Sequence, residues 1–115
     1  MTDAHYYHID TLDRFIHEPA RLMIVALLYS VERADFLYLQ RETGLTKGNL
    51  SAQLSKLEQA GYVQIEKTFR GKMPLTVCSL TVEGRRAFEQ YRARLQQLMT
   101  AAQHPDLSAG QVACS

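Results

Sequence analysis

The strongest constraint on this chain is the spacing of three punctuation points, Gly44, Gly61 and Gly71, along residues 36–80. Before Gly44 lies a short stretch of helical periodicity, and Thr46 stands where it can cap a second helix. Within that second stretch Leu50, Leu54 and Leu57 recur at i, i+4 and i+7, a narrow inward stripe. Gly61 then ends the helical pattern. Residues 62–68 alternate as a strand does, residues 69–74 read as a loop holding Arg70, Gly71 and Lys72, and residues 75–80 return as a strand. Helix, tight turn, helix and hairpin in this order leave few ways to build a core.

The flanks fit the same plan. Pro19 suits a first helical position, since its missing N–H has no helical partner there. From it Ala20, Met23, Ile24, Leu27, Leu28 and Val31 recur as one broad apolar face. Glu32-Arg33-Ala34 breaks the pattern, and Asp35 is a suitable N-cap for the next helix, which buries Phe36 and Leu39 with Leu37 beside them. Leu45, apolar within the turn, is expected to plug the corner between helices. Upstream, Asp10 is placed to cap a short helix carrying Ile9, Leu12, Phe15 and Ile16. Downstream, Thr81 caps a last helix, with Glu83 in its first turn.

That last helix carries Phe88, Tyr91, Leu95 and Leu98 at a 3, 4, 3 spacing, a seam of the kind that packs on a partner helix. Because a three-helix core and hairpin already precede it, the expectation is a homodimer interface formed by Phe88, Tyr91, Leu95 and Leu98 with Ile9, Leu12, Phe15 and Ile16. The domain plan is therefore residues 1–16 as an N-terminal arm, 17–80 as the helix-turn-helix and wing, 81–102 as a dimerisation helix, and 103–115 as a tail.

Bulk properties narrow the function. The 115 residues are one domain's worth. No apolar run approaches the ~20 residues of a membrane span, and no secretory leader is visible, so a cytoplasmic protein is expected. Cys78 and Cys114 form no disulfide framework, and Cys78 reads as a small core residue. Net charge is only +1, but it is uneven. Residues 37–72 hold Arg41, Lys47, Lys56, Lys67, Arg70 and Lys72 against three carboxylates, whereas residues 1–36 hold three arginines against six. The positive excess lies on the helix-turn-helix segment, as nucleic-acid binding requires.

The residue types there suit a duplex. Gly48 and Ala52 allow close approach to a groove floor, and Ala52 offers a methyl to thymine. Asn49, Ser51 and Ser55 can hydrogen-bond base edges or phosphates, with Gln53 or Gln59 reaching from the side. Thr46, Lys47 and Lys56 are placed for phosphates, as is Lys67. Arg70, Gly71 and Lys72 make a cationic tip for a minor groove or its phosphates. No catalytic constellation and no cofactor motif are found. His5, His8, His17 and His104 lie toward the termini without ligand spacing, so no metal site is expected.

Taken together, Gly44-Leu45-Thr46 with Gly48-Asn49-Leu50-Ser51, the run from Leu57-Glu58 through Gly61-Tyr62-Val63, Phe69-Arg70-Gly71-Lys72 with Pro74, and Leu80-Thr81 with Glu83-Gly84-Arg85 resemble small winged-helix transcriptional regulators related to the MarR and ArsR families. The resemblance covers about residues 17–99. It implies an α+β, mainly α fold: a winged helix-turn-helix with a three-helix core and a β-hairpin wing, flanked by terminal dimerisation helices. It also implies a homodimer on a roughly palindromic double-stranded DNA operator. Two alternatives stay open. One is a winged helix that binds protein instead of DNA. The other is a regulator with a small-molecule effector at the dimer interface, near Tyr6, Tyr7, Phe88 and Tyr91.

Overall fold

The computed structural model describes residues 12–106. Its elements run α1 (Pro19–Val31), β1 (Arg33–Asp35), α2 (Phe36–Thr43), α3 (Lys47–Gln59), β2 (Val63–Arg70), β3 (Met73–Leu80) and α4 (Val82–Asp106). The three strands form one antiparallel sheet in the order β1-β3-β2. This is a winged helix, as the spacing of turns implied, with one strand more than expected.

β1 is the strand that residue patterning missed. The break after α1 is real: Glu32 adopts φ +70° while its N–H bonds Leu28 O. The next three residues then pair as Arg33↔Ser79, Ala34↔Cys78 and Asp35↔Val77. Three residues are too few for alternation to register in sequence. Asp35 closes β1 and also caps α2, its Oδ1 accepting from Tyr38 N at 2.8 Å.

The turns behave as their residues dictate. Gly44 ends α2 in the left-handed region at φ +73°, and Leu45 packs partly buried against the core. Thr46 Oγ1 accepts from Asn49 N at 3.1 Å. At the far end of α3, Gly61 at φ +84° allows a paired closure: its own N–H bonds Glu58 O, and Tyr62 N–H bonds Leu57 O.

The core forms where α1, α2, α3 and the sheet meet, around Ile24, Val25, Leu28, Leu39, Leu50, Leu54, Leu57, Val63 and Cys78. The stripe of α3 is as the spacing required. The α1 face is rotated from the expected one: Val25 is fully buried, while Met23 and Val31 are exposed. Leu37 is also exposed, at 69%. The segment Leu22 to Tyr29 is almost wholly apolar, so its period could not fix which side faces inward.

The expected dimer seam needs correcting. Phe88 belongs to the main core, and Leu12, Ile16 and Tyr91 are buried together in a second cluster of the same chain. Phe15 is partly buried against the core. The chain's own N-terminal turn thus covers the first half of the seam. Asp13 makes that turn, its Oδ1 accepting from Phe15 N and Ile16 N. Ile9 and the Asp10 cap lie outside the described residues. Leu95 and Leu98 pack partly buried against the second cluster, and α4 runs to Asp106, beyond the expected end at residue 102.

Candidate nucleic-acid interface

α3 turns its three leucines fully inward, so the opposite side is solvent. Thr46, Lys47, Gly48, Asn49, Ser51, Ala52, Ser55 and Lys56 are all exposed. Gly48, Ala52 and Ser55 follow one another at i, i+4 and i+7 and so share a face. Gly48 has open space where a Cβ would stand. This face therefore has a low, nearly flat profile bordered by short hydrogen-bonding groups. The helix N-terminus adds unpaired backbone N–H groups and a partial positive charge.

Gln53, one of the side residues, is half-buried and engaged. Its Oε1 accepts from Arg21 Nη1 at 2.9 Å, and its Nε2 donates to Asn49 Oδ1 at 3.1 Å. Residue patterning gave no sign of Arg21, which lies on α1, 32 residues away in sequence.

The wing differs from the loop expected over residues 69–74. Strand pairing continues to Arg70↔Met73, leaving only Gly71 and Lys72 in the turn. Gly71 has φ +64°, the first-position glycine of a type II′ hairpin. Lys67, Arg70, Gly71 and Lys72 are exposed, and so are Phe69 and Met73, each at 68%. Among the described residues the ion pairs are Arg33–Glu66 at 3.6 Å and Arg41–Glu42 at 3.7 Å. Neither involves Lys47, Lys56, Lys67, Arg70 or Lys72, whose charges stay available to an anionic partner.

Chemical reactivity is low at the core. Burial pushes the Cys78 thiol up to about 11, helped by the charges of Glu58 and Asp35, so it stays protonated and weakly nucleophilic. Among the described residues no group of three or more His, Cys, Asp or Glu could hold a metal, and no helix is long and apolar enough to cross a membrane.

A groove of about 450 Å³ lies between the N-terminal turn and α4, lined in part by Leu12, Asp13, Tyr91 and Arg94. His17 Nδ1 sits 2.6 Å from Tyr91 Oη, and Tyr62 Oη donates to Asp13 Oδ2 at 3.0 Å. These bonds hold the N-terminal turn on the body.

Comparison with known proteins agrees with this geometry. Residues 20–99 match the family described as winged helix DNA-binding domain. Protein MJ0432 of Methanocaldococcus jannaschii, itself uncharacterized, is 36% identical over 85 residues, covering 74% of this chain and 92% of the relative. A transcriptional regulator homologue from Pyrococcus horikoshii OT3 has a similar structure, with TM-score 0.76, 24% identity and coverage of 89% of this chain and 98% of the other. The PcaV transcriptional regulator from Streptomyces coelicolor, solved with its natural ligand, is similar at TM-score 0.66 and 18% identity, covering 98% and 82%. At those identities the two structures speak for the fold.

Proposed function

Since the chain belongs to the winged helix DNA-binding domain family, we propose that it is a cytoplasmic transcriptional regulator. It acts as a homodimer on a roughly palindromic operator. α3 enters the major groove, where Asn49, Ser51, Ala52 and Ser55 meet base edges and Thr46, Lys47 and Lys56 meet phosphates. The wing lays Arg70, Gly71 and Lys72 on the flanking backbone or minor groove, with Lys67 behind them.

One observation carries this reading: these eleven residues and Gly48 are all exposed, and among the described residues none of their five cations pairs with a carboxylate. A solubilising surface would intersperse charges of both signs. Dimerisation is supported by the outer half of α4. Beyond Tyr91, Leu95 and Leu98 are only half-covered and Met99 is 58% exposed. Two-fold symmetry would match half-sites about one DNA turn apart.

Fluorescence anisotropy with random duplex at low salt, followed by selection from a random library, tests the function. Salt-sensitive binding to random DNA is expected, weakening to micromolar or beyond at physiological salt, with selection converging on an inverted repeat. A folded protein that binds no duplex at low salt would indicate a protein partner instead.

A second reading adds an effector. The groove beside Tyr91 and Arg94 sets a cation next to an aromatic edge, with Asp13 on its other side, and we propose a small aromatic carboxylate as its occupant. PcaV, of similar fold, has a natural ligand. A panel of aromatic carboxylates that changes neither melting temperature nor operator affinity would remove this reading.

A further inference from the structure

We infer that Arg21 and Gln53 are positioning residues that fix which edge of the Asn49 side chain is offered to DNA; the inference rests on α3 being the reading helix. Arg21 is held firmly. Its Nε donates to Phe15 O at 2.8 Å, and its guanidinium lies over the Phe15 ring at 4.3 Å. Its Nη1 donates to Gln53 Oε1 at 2.9 Å.

An arginine has donors and no acceptor. Gln53 must therefore turn its oxygen to Arg21 and its NH₂ away. That NH₂ reaches Asn49, one helical turn back, and donates to Oδ1 at 3.1 Å. The direction of donation is set along the whole series, from a permanently charged group outward. Asn49 Oδ1 is engaged, and the Asn49 NH₂ remains as the outward group.

An isolated asparagine on an exposed helix turns its amide either way at little cost. Here Asn49 is biased toward donating. The base edges it suits are acceptors in the major groove: guanine N7 and O6, adenine N7 and thymine O4. Gln53, although on α3, is engaged by Arg21 and Asn49 and is assigned no base contact.

Gln53→Glu reverses the series. A carboxylate accepts from Arg21 with one oxygen and turns the other toward Asn49. Asn49 must then rotate its amide, donate to Glu and expose Oδ1 instead. The favoured partner becomes a donor edge, cytosine N4 or adenine N6.

The test is selection of DNA sites by wild type, Gln53→Glu, Asn49→Ala and the double variant. The expected result is a change from acceptor to donor edge at one base pair per half-site, about tenfold or more in relative affinity. A uniform loss from the added negative charge is separate from this ratio. In the Asn49→Ala background Gln53→Glu should shift no preference. An equal shift there, or an unchanged preference in the single variant, overturns the inference.

Side-chain amide NMR of the DNA-free protein distinguishes the two levels. Gln53→Glu and Arg21→Met should each move the Asn49 NH₂ signals, with backbone signals of α2 and the wing unmoved. Unresponsive Asn49 signals overturn the relay whatever the DNA data say. Responsive signals in a protein that binds no duplex overturn the reading of α3 on which the inference rests.

Discussion

Gly84 of α4 lies against the backbone carbonyl of Tyr62, so close that a Cβ built on it would stand 2.9 Å from the carbonyl carbon. The contact joins the end of α3 to the start of α4. Thr81 reinforces it: its N–H donates to Tyr62 O, its Oγ1 donates to Gly61 O at 2.6 Å, and the same oxygen accepts from Gly84 N. Because the obstacle is backbone, no rotamer change relieves it. Gly84→Ala should destabilise the fold by about 1–3 kcal/mol, or more if α4 lifts away. Urea unfolding checks this. Wild-type stability in the variant would mean that α4 shifts freely on the body.

On the proposed reading the wing cations act through charge. Arg70→Ala and Lys72→Ala should each weaken binding on every sequence alike and reduce the salt slope by about 1. Affinity measured against salt concentration on two unrelated duplexes is the check. Unchanged affinity and slope in both variants would remove the wing from the interface.

Most of the fold was legible because its signals are local. Thr46, Gly44 and Gly61 perform the capping and stopping that their chemistry requires, and the three leucines of α3 are spaced as a one-sided stripe must be. What was hidden needed long-range information. β1 exists only because Arg33, Ala34 and Asp35 find β3 more than forty residues later. Leu12, Ile16 and Tyr91 have the spacing of an interface, but a seam covered by the chain's own N-terminal turn looks the same in sequence as one covered by a partner. Arg21 was invisible for the same reason, since a lone arginine on a core helix carries no pattern.

The buried thiol and two tyrosines fix the alkaline limit. Burial raises Cys78 from 9.0 to about 11 and, as the largest cause, also raises Tyr62 and Tyr91 from 10.0. For Tyr62 the bond to Asp13 and its charge add to this. The protonated forms belong to the folded state; the Cys78 contribution is complete below pH 9 and is lost as pH rises through 11, and the tyrosines act in the same direction. The Cys78 share is of the order of 2–3 kcal/mol. Cys78→Ala should flatten the fall of stability between pH 9 and 11, even though the cavity lowers stability at every pH. A slope equal to wild type would count against this account. In the folded protein Cys78 should also resist alkylation at pH 8 and react on unfolding, as peptide mass mapping can read.

The outer part of α4 is where a second subunit is expected. Met99→Asp should weaken self-association about tenfold or more, since burying one methionine contributes about 1.5–3 kcal/mol. Val82→Asp, at a more exposed site near the helix start, should leave it unchanged. Sedimentation equilibrium decides. A wild-type chain that stays monomeric at hundreds of micromolar would count against the homodimer.

β1 backs the hairpin only at its root, opposite Val77, Cys78 and Ser79. From Lys67↔Thr76 outward to Arg70↔Met73 the ribbon has two strands and no third. Such a ribbon is far more compliant than the sheet it grows from. If the wing grips DNA as proposed, a duplex with a slightly wider or narrower groove would be met by flexing this cantilever, with Val63 and Cys78 still packed at its root.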